Sequence, residues 1–225
     1  GYPVIGFDTD PEKIRLLSRG ENYLRHLGAD MVARMRAAGR FDCTGDMGRL
    51  AEADVVIVCV PTPLDAHLEP DMSFIERSAD DISSVLRPGQ LVVLESSTYP
   101  GTTREVLQPR FDRRGLRCGE DYYLAFSPER EDPGRRDFTT RTIPKLVGGI
   151  DAASGELACL LYATVITKVV PVSSTEVAEA AKLLENIYRA VNIALVNELK
   201  VVLTAMGIDV WEVIDAASSS VSSGC

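Results

Sequence analysis

The chain has 225 residues, of which 45% are hydrophobic and 25% charged, enough apolar content for one large core or two small ones. Its 24 lysines and arginines against 33 aspartates and glutamates give a net charge of −9, which disfavours nucleic acid and anionic membrane surfaces as partners, and no run approaches the roughly 18 apolar residues of a membrane span. The five scattered cysteines (Cys43, Cys59, Cys118, Cys159 and Cys225) form no CxxC pair, which argues against a disulfide framework or a zinc site and for a reducing cytoplasm.

Five β-rich apolar runs are spaced by helical patterns: YPVIGFD (2–8), VVIVCV (55–60), LVVLE (91–95), YYLAF (122–126) and VITKVVPV (165–172). Runs such as VVIVCV are apolar on consecutive residues, as a parallel strand covered by helices on both faces requires. The expected fold over residues 1–172 is therefore α/β, a Rossmann-like doubly wound parallel sheet. In such sheets ligands sit beyond the carboxyl ends of the strands, so DTDPEK, PTP, SSTYPGTT and SPEREDPG become the segments of interest.

The first of these follows the first run. Asp8 ends that strand ahead of a helix opened by Asp10 and Pro11. An acid at this point accepts hydrogen bonds from adenosine ribose hydroxyls in dinucleotide-binding folds, and it serves equally well as a turn cap. The GxGxxG loop that should accompany the nucleotide reading is absent from the chain. SPEREDPG, at 127–134, crowds four acids and bases into one loop, either as ordinary polar punctuation or as a reacting site.

From Ser173 the pattern changes, and residues 173–225 read as a second, helical region. Ser173 and Glu176 suggest a capping box, and a helix runs to about Met206 before Gly207 closes it. At about 33 residues it spans roughly 50 Å, more than one domain face covers, and its apolar residues spread around most of its circumference. Burial on several sides is expected, with the helix either linking domains or pairing, around Ile187 to Leu199, with a second copy of the chain. Lys182 and Asn186, one turn apart, either converge on a developing alkoxide or belong to a solvated strip with Glu179, Glu185 and Arg189. A last helix includes Trp211, and the tail SSSVSSGC is flexible by composition.

Five blocks in order (PTP after VVIVCV, ESSTYPGTT, AFSPEREDPG, EAAKLLENIYRAVNIALVNEL and MGIDVWEVIDAA) resemble the UDP-glucose/GDP-mannose dehydrogenase family, most of all its UDP-N-acetylhexosamine 6-dehydrogenase branch. The resemblance runs from Gly1 to about Ala217. It implies NAD-dependent oxidation of the C6 alcohol of a UDP-sugar to the carboxylate, in two hydride transfers through a cysteine thioester, in polysaccharide precursor synthesis. It also implies residue roles. Asp8 and Lys13 would hold the adenosine ribose, and Val60, Pro61 and Thr62 would line the cofactor cleft. Thr98 would position a water beside the nicotinamide, Glu129 would act as general base, and Lys182 and Asn186 would stabilise the oxyanion. Arg130 and Glu131 join Glu129 as substrate contacts, with Arg135, Arg136, Arg141 and Lys145 available to the diphosphate.

Two features depart from the family pattern. Its first strand with the glycine-rich pyrophosphate loop is not in the chain, nor is a Gly-Gly-x-Cys loop; Cys225 stands only 10 residues after Asp215, too close for that loop. The chain by itself is thus expected to be an inactive piece of the enzyme. A β-hydroxyacid dehydrogenase of the 6-phosphogluconate type, whose helix also carries lysine and asparagine four apart, is a second reading, against which SPER and TYPGTT argue. A non-catalytic dimerisation or regulatory module is a third.

Overall fold

The computed structural model of the chain describes residues 2–23, 28, 30–130 and 141–218. Strands β1 (Val4–Phe7) and β2 (Phe41–Thr44) pair in parallel as a small sheet, with Val4 opposite Phe41. A second sheet has the order β3 (Val55–Val58), β4 (Leu91–Leu94), β5 (Tyr123–Phe126), β6 (Lys145–Gly149) and β7 (Val169–Val172). Its first three strands run parallel, β6 is antiparallel to β5, and β7 is parallel to β6. This is the expected Rossmann-like α/β sheet, mostly parallel, with one reversal. Pro171 fits in β7 because β7 is an edge strand, where a missing N–H breaks no ladder.

Helices α1 (Pro11–Ser18), α2 (Met31–Ala37), α3 (Ser73–Val85), α4 (Gln108–Asp112) and α5 (Ala152–Ala163) connect the strands. Helix α1 starts as the sequence indicates, with Asp10 accepting the Glu12 amide at 2.9 Å and Pro11 in the first turn. Strand β4 explains the consecutive apolar runs. Val92 and Leu94 face a core shared with α3, α4 and Phe126, while Leu91 and Val93 face a second core built on α5 through Ala158 and Tyr162. Val92, Val93 and Leu94 are completely buried.

Strands β2 and β6 do not stand out in the sequence. Phe41–Thr44 carries Asp42 in its centre, and Lys145–Gly149 ends in two glycines, neither of which reads as a core strand. The glycines answer a steric need. A Cβ on Gly148 would lie 2.1 Å from the Ser174 carbonyl oxygen, and one on Gly149 would lie 2.2 Å from the Gly155 amide nitrogen.

The chain divides into two compact units, one up to Ala180 and one from Ala181 onward. Helix α6 (Thr175–Ala205) begins in the first and is capped by Ser174 rather than Ser173, whose neighbour's Oγ accepts the Val177 amide at 3.3 Å. Glu176 spends its carboxylate on Arg104, at 2.5 Å, instead of returning to the cap. Burial pushes its carboxyl up, but Arg104 and local hydrogen bonds outweigh that and hold it at about 2.

Three residues later, Glu179 is fully buried. Its carboxylate accepts the Gly101 amide at 2.6 Å, the Thr103 amide at 2.9 Å and the Thr103 hydroxyl at 2.7 Å. Burial pushes this carboxyl up, and the three donated hydrogen bonds oppose the shift. The anchor ties α6 to the segment that follows β4.

In the second unit, α6 ends where expected. Gly207 adopts φ +73° and the Ile208 amide returns to the Leu203 carbonyl at 2.9 Å. Helix α7 (Val210–Ser218) follows, its Trp211 amide capped by Asp209 at 2.9 Å. Burial of α6 on several sides is not found among the described residues: Leu184, Tyr188 and Val191 are 67%, 70% and 60% exposed. Among the described residues no helix is long and apolar enough to cross a membrane.

Two substitutions test this packing. Glu179→Ala strands two buried amides and a hydroxyl, so urea unfolding should show a loss of about 3 kcal/mol, and a loss below about 1 kcal/mol would mean that water takes over the carboxylate's bonds. Gly148→Ala forces β6 away from the start of α6 and should cost about 3 kcal/mol or more on the same measurement; an unchanged midpoint would refute the close approach.

Candidate active site

The loops after β3, β4 and β5 meet at one edge of the sheet because the strands are parallel and in register. Ser96, just past β4 and 5% exposed, joins two of them: its Oγ accepts the Val60 amide at 2.9 Å. Thr62 adds a second tie, donating from Oγ1 to the Ser97 carbonyl at 3.0 Å. Val60, Pro61 and Thr62 therefore lie along the segment that carries Thr98. Thr98 itself is notable for what its hydroxyl lacks. Its Oγ1 is buried with no hydrogen-bond partner among the described residues. A buried hydroxyl in that state costs about 1–3 kcal/mol, so the site holds back a polar group that a ligand or a water can satisfy.

The third loop explains the SPER stretch. Ser127 is fully buried, its amide bonded to the Leu94 carbonyl at 3.0 Å and its hydroxyl to the Leu146 carbonyl at 2.7 Å, so it stitches β5 to β4 and β6. Pro128 is buried behind it. The next residue, Glu129, emerges with half of its side chain exposed. Its Oε1 accepts the Arg130 amide at 2.7 Å, and its Oε2 stands 3.7 Å from Lys145 Nζ. A carboxylate on a rigid, buried stem with one face open to solvent has the form required of a proton acceptor.

The basic residues near the loop are used differently from one another. Arg130 sends Nη1 to the Pro144 carbonyl at 2.9 Å. Lys145, expected near a diphosphate, is only 9% exposed in its side chain and turns inward to Glu95 at 2.8 Å. Arg141 is exposed. Glu131, Arg135, Arg136 and Cys225 lie outside the described residues.

Glu95 is a residue that reading by motif overlooked. It accepts a hydrogen bond from the Tyr162 hydroxyl as well as the Lys145 ion pair, and its other oxygen receives the Cys59 thiol at 3.6 Å. Cys59 is exposed as a residue, yet the atoms crowding its thiol and the Glu95 carboxylate push it up to about 12. At neutral pH it is a thiol, not a nucleophilic thiolate. The one available sequence signal was the position of Glu95, a charge ending the apolar run LVVL.

At the end of β1, Asp8 Oδ2 pairs with Lys13 Nζ at 3.1 Å while Oδ1 accepts the Asp10 amide at 2.9 Å. The hydrogen bond to Asp8 raises the Lys13 pKa. The pair is part-exposed and presents an acid and a base side by side, a set that fits a ribose diol with acceptor and donor together. Together with the orphaned Thr98 hydroxyl, these residues suit a dinucleotide lying across the strand ends. Lys182 and Asn186, both half-buried, sit one turn apart on α6 in the second unit.

The chain resembles known proteins along nearly its whole length. It is 37% identical to the UDP-N-acetyl-D-glucosamine 6-dehydrogenase of Pseudomonas aeruginosa over 218 residues, 96% of this chain and 51% of that one. The solved structure of the UDP-D-ManNAc dehydrogenase from Pyrococcus horikoshii superposes with a TM-score of 0.92 at 32% identity, covering 99% of this chain and 53% of that chain. A ternary complex of GDP-mannose dehydrogenase from Pseudomonas aeruginosa gives 0.88 at 27% identity, covering 97% and 52%. The chain thus spans about half the length of the relatives it matches. Residues 1–166 match the NAD binding domain of the UDP-glucose/GDP-mannose dehydrogenase family and residues 176–224 match its central domain, so the chain belongs to that family.

Proposed function

We propose that the chain is the NAD-binding and central-helix portion of a cytoplasmic nucleotide-sugar 6-dehydrogenase that oxidises the C6 alcohol of a UDP-sugar, a UDP-N-acetylhexosamine or UDP-glucose, to the uronic acid. What supports this reading is the Glu129 carboxylate, which emerges from its buried Ser127–Pro128 stem after β5, next in the sheet to β4, whose following segment bears the orphaned Thr98 hydroxyl. The four described free cysteines, Cys43, Cys59, Cys118 and Cys159, suit a reducing compartment.

In this mechanism the half-exposed Glu129 carboxylate accepts the proton of the C6 hydroxyl. NAD supplies the hydride acceptor. Lys182 and Asn186 place a positive charge and a fixed amide donor where the alkoxide and later oxyanions develop, which matters most in a site closed to water. Thr98 Oγ1 holds a water for the hydrolytic step. Asp8 and Lys13 bind the adenosine ribose, the carboxylate selecting against a 2′-phosphate. Val60, Pro61 and Thr62 form the floor for the cofactor, and Arg130 and Glu131 complete the substrate loop. The same helix serves assembly: Ile187, Val191, Ile193, Leu195 and Leu199 are all about half exposed or more, and a second copy of the chain covers this face in the homodimer.

In the full-length enzyme, Lys182→Ala and Asn186→Ala should each slow turnover by roughly 10²–10³ with little change in folding, the loss that follows removal of one oxyanion donor. Steady-state kinetics with thermal unfolding as control decide the matter, and turnover within a few-fold of the parent returns the pair to a solvated strip. For assembly, light scattering should find a dimer or larger species at tens of micromolar. Ile193→Asp and Leu195→Asp should weaken it, since each would bury an unpaired charge. A clean monomer that neither substitution alters would overturn the interface.

A further inference from the structure

Beside Glu129 lies a cavity of about 170 Å³ whose polar wall is made by Glu95, Glu129, Arg130, Lys145 and Tyr162. Four separate elements build this wall. Glu95 follows β4, Glu129 and Arg130 follow β5, Lys145 opens β6, and Tyr162 projects from α5. Lys145 Nζ is 2.8 Å from Glu95 Oε1, 3.7 Å from Glu129 Oε2 and 5.0 Å from the centre of the Tyr162 ring. The Tyr162 hydroxyl donates to the same Glu95 oxygen that holds the lysine.

The charges do not cancel as they would in a purely structural pair. Glu95 and Lys145, each 9% exposed in the side chain, already neutralise one another, and burial of one ammonium needs no second carboxylate. Yet the lysine also faces Glu129, half of whose side chain is exposed. Tyr162 fixes Glu95, Glu95 fixes Lys145, and Lys145 faces Glu129.

We propose that Lys145, held by Glu95 and Tyr162, is the positioning residue of Glu129: it fixes the carboxylate at the mouth of the cavity, where it can accept a proton. The catalytic half of this statement rests on Glu129 being the general base; the placement of Glu129 does not. Among the described residues, Lys145 and Arg130 lie against Glu129, with Glu95, Cys59 and Tyr162 behind Lys145.

The test uses the full-length enzyme with three substitutions, Lys145→Met, Lys145→Arg and Tyr162→Phe, and Glu129→Gln as the reference. Side-chain carboxylate ¹³C resonances, with Glu129 assigned by its absence from Glu129→Gln, should show the Glu129 signal displaced in Lys145→Met, restored in Lys145→Arg, and displaced by a smaller amount in Tyr162→Phe. In kinetics with saturating NAD and UDP-sugar, Lys145→Met should lower kcat about 10-fold to 100-fold with KM within about three-fold, and Lys145→Arg should recover it. A Glu129 resonance unmoved in Lys145→Met overturns the proposal. Should Lys145→Met fail to fold, an unshifted resonance in Tyr162→Phe overturns it. Parent-like turnover of Glu129→Gln refutes the general-base reading instead, and the resonance shift then still decides whether Lys145 positions the carboxylate.

Discussion

A parallel strand buried on both faces can offer chemistry only at its ends, and this constraint organises the first unit. Val92, Val93 and Leu94 are fully buried between the α3–α4 core and the α5 core, so β4 offers no polar side chain until Glu95 and Ser96. The parallel register of β3, β4 and β5 then brings Val60, Ser96 and Ser127 to one edge. Each of these residues is tied by a hydrogen bond to the neighbouring strand or loop. The site's precision is inherited from the sheet, and its residues are short extensions of rigid strands rather than parts of a free loop.

Burying polar groups at this edge costs free energy, and the way each is satisfied separates structural from functional roles. Glu179 is surrounded by three donors and exposes nothing; it works as a clamp between α6 and the Gly101–Thr103 segment. Glu95 is nearly as deep, but its partners, Lys145 and the Tyr162 hydroxyl, sit on elements that face the cavity. Thr98 Oγ1 is left unsatisfied. Full satisfaction marks the clamp, shared satisfaction the wall of the cavity beside Glu129, and an unmet hydroxyl a group still open to a ligand or a water.

Much of this was legible in the sequence. The runs at 55–60, 91–95 and 122–126 became β3, β4 and β5, Asp10 and Pro11 open α1, and Gly207 closes α6 with a positive φ, because each signal is local and has a single physical meaning. The strands that escaped notice, β2 and β6, are defined by their neighbours: Gly148 and Gly149 are in β6 because other backbone passes within a Cβ's reach, which no periodicity records. Lys145 was misplaced for the same reason. A lysine between a proline and an apolar pair looks like a surface charge until Glu95, 50 residues earlier, is seen opposite it. The roles proposed for Lys182 and Asn186 came from resemblance rather than from spacing, since two polar residues one turn apart on a helix fit a solvated face equally well.

The electrostatics pose a last question: how does a chain of net charge −9 accommodate an anionic dinucleotide? Distance resolves most of it. At physiological ionic strength exposed charges are screened beyond about 8 Å, so carboxylates scattered over the surface scarcely reach the strand ends. What counts is the local set, and there the obvious cations are already committed: Lys145 to Glu95, and Arg130 in part to the Pro144 carbonyl. Lys13, drawn to Asp8, balances the acid that would meet the ribose. Among the described residues, the strand edge thus presents its cations already paired and the Glu129 carboxylate half exposed, so an anion bound there must draw its hydrogen bonds from backbone amides and from groups other than these buried pairs.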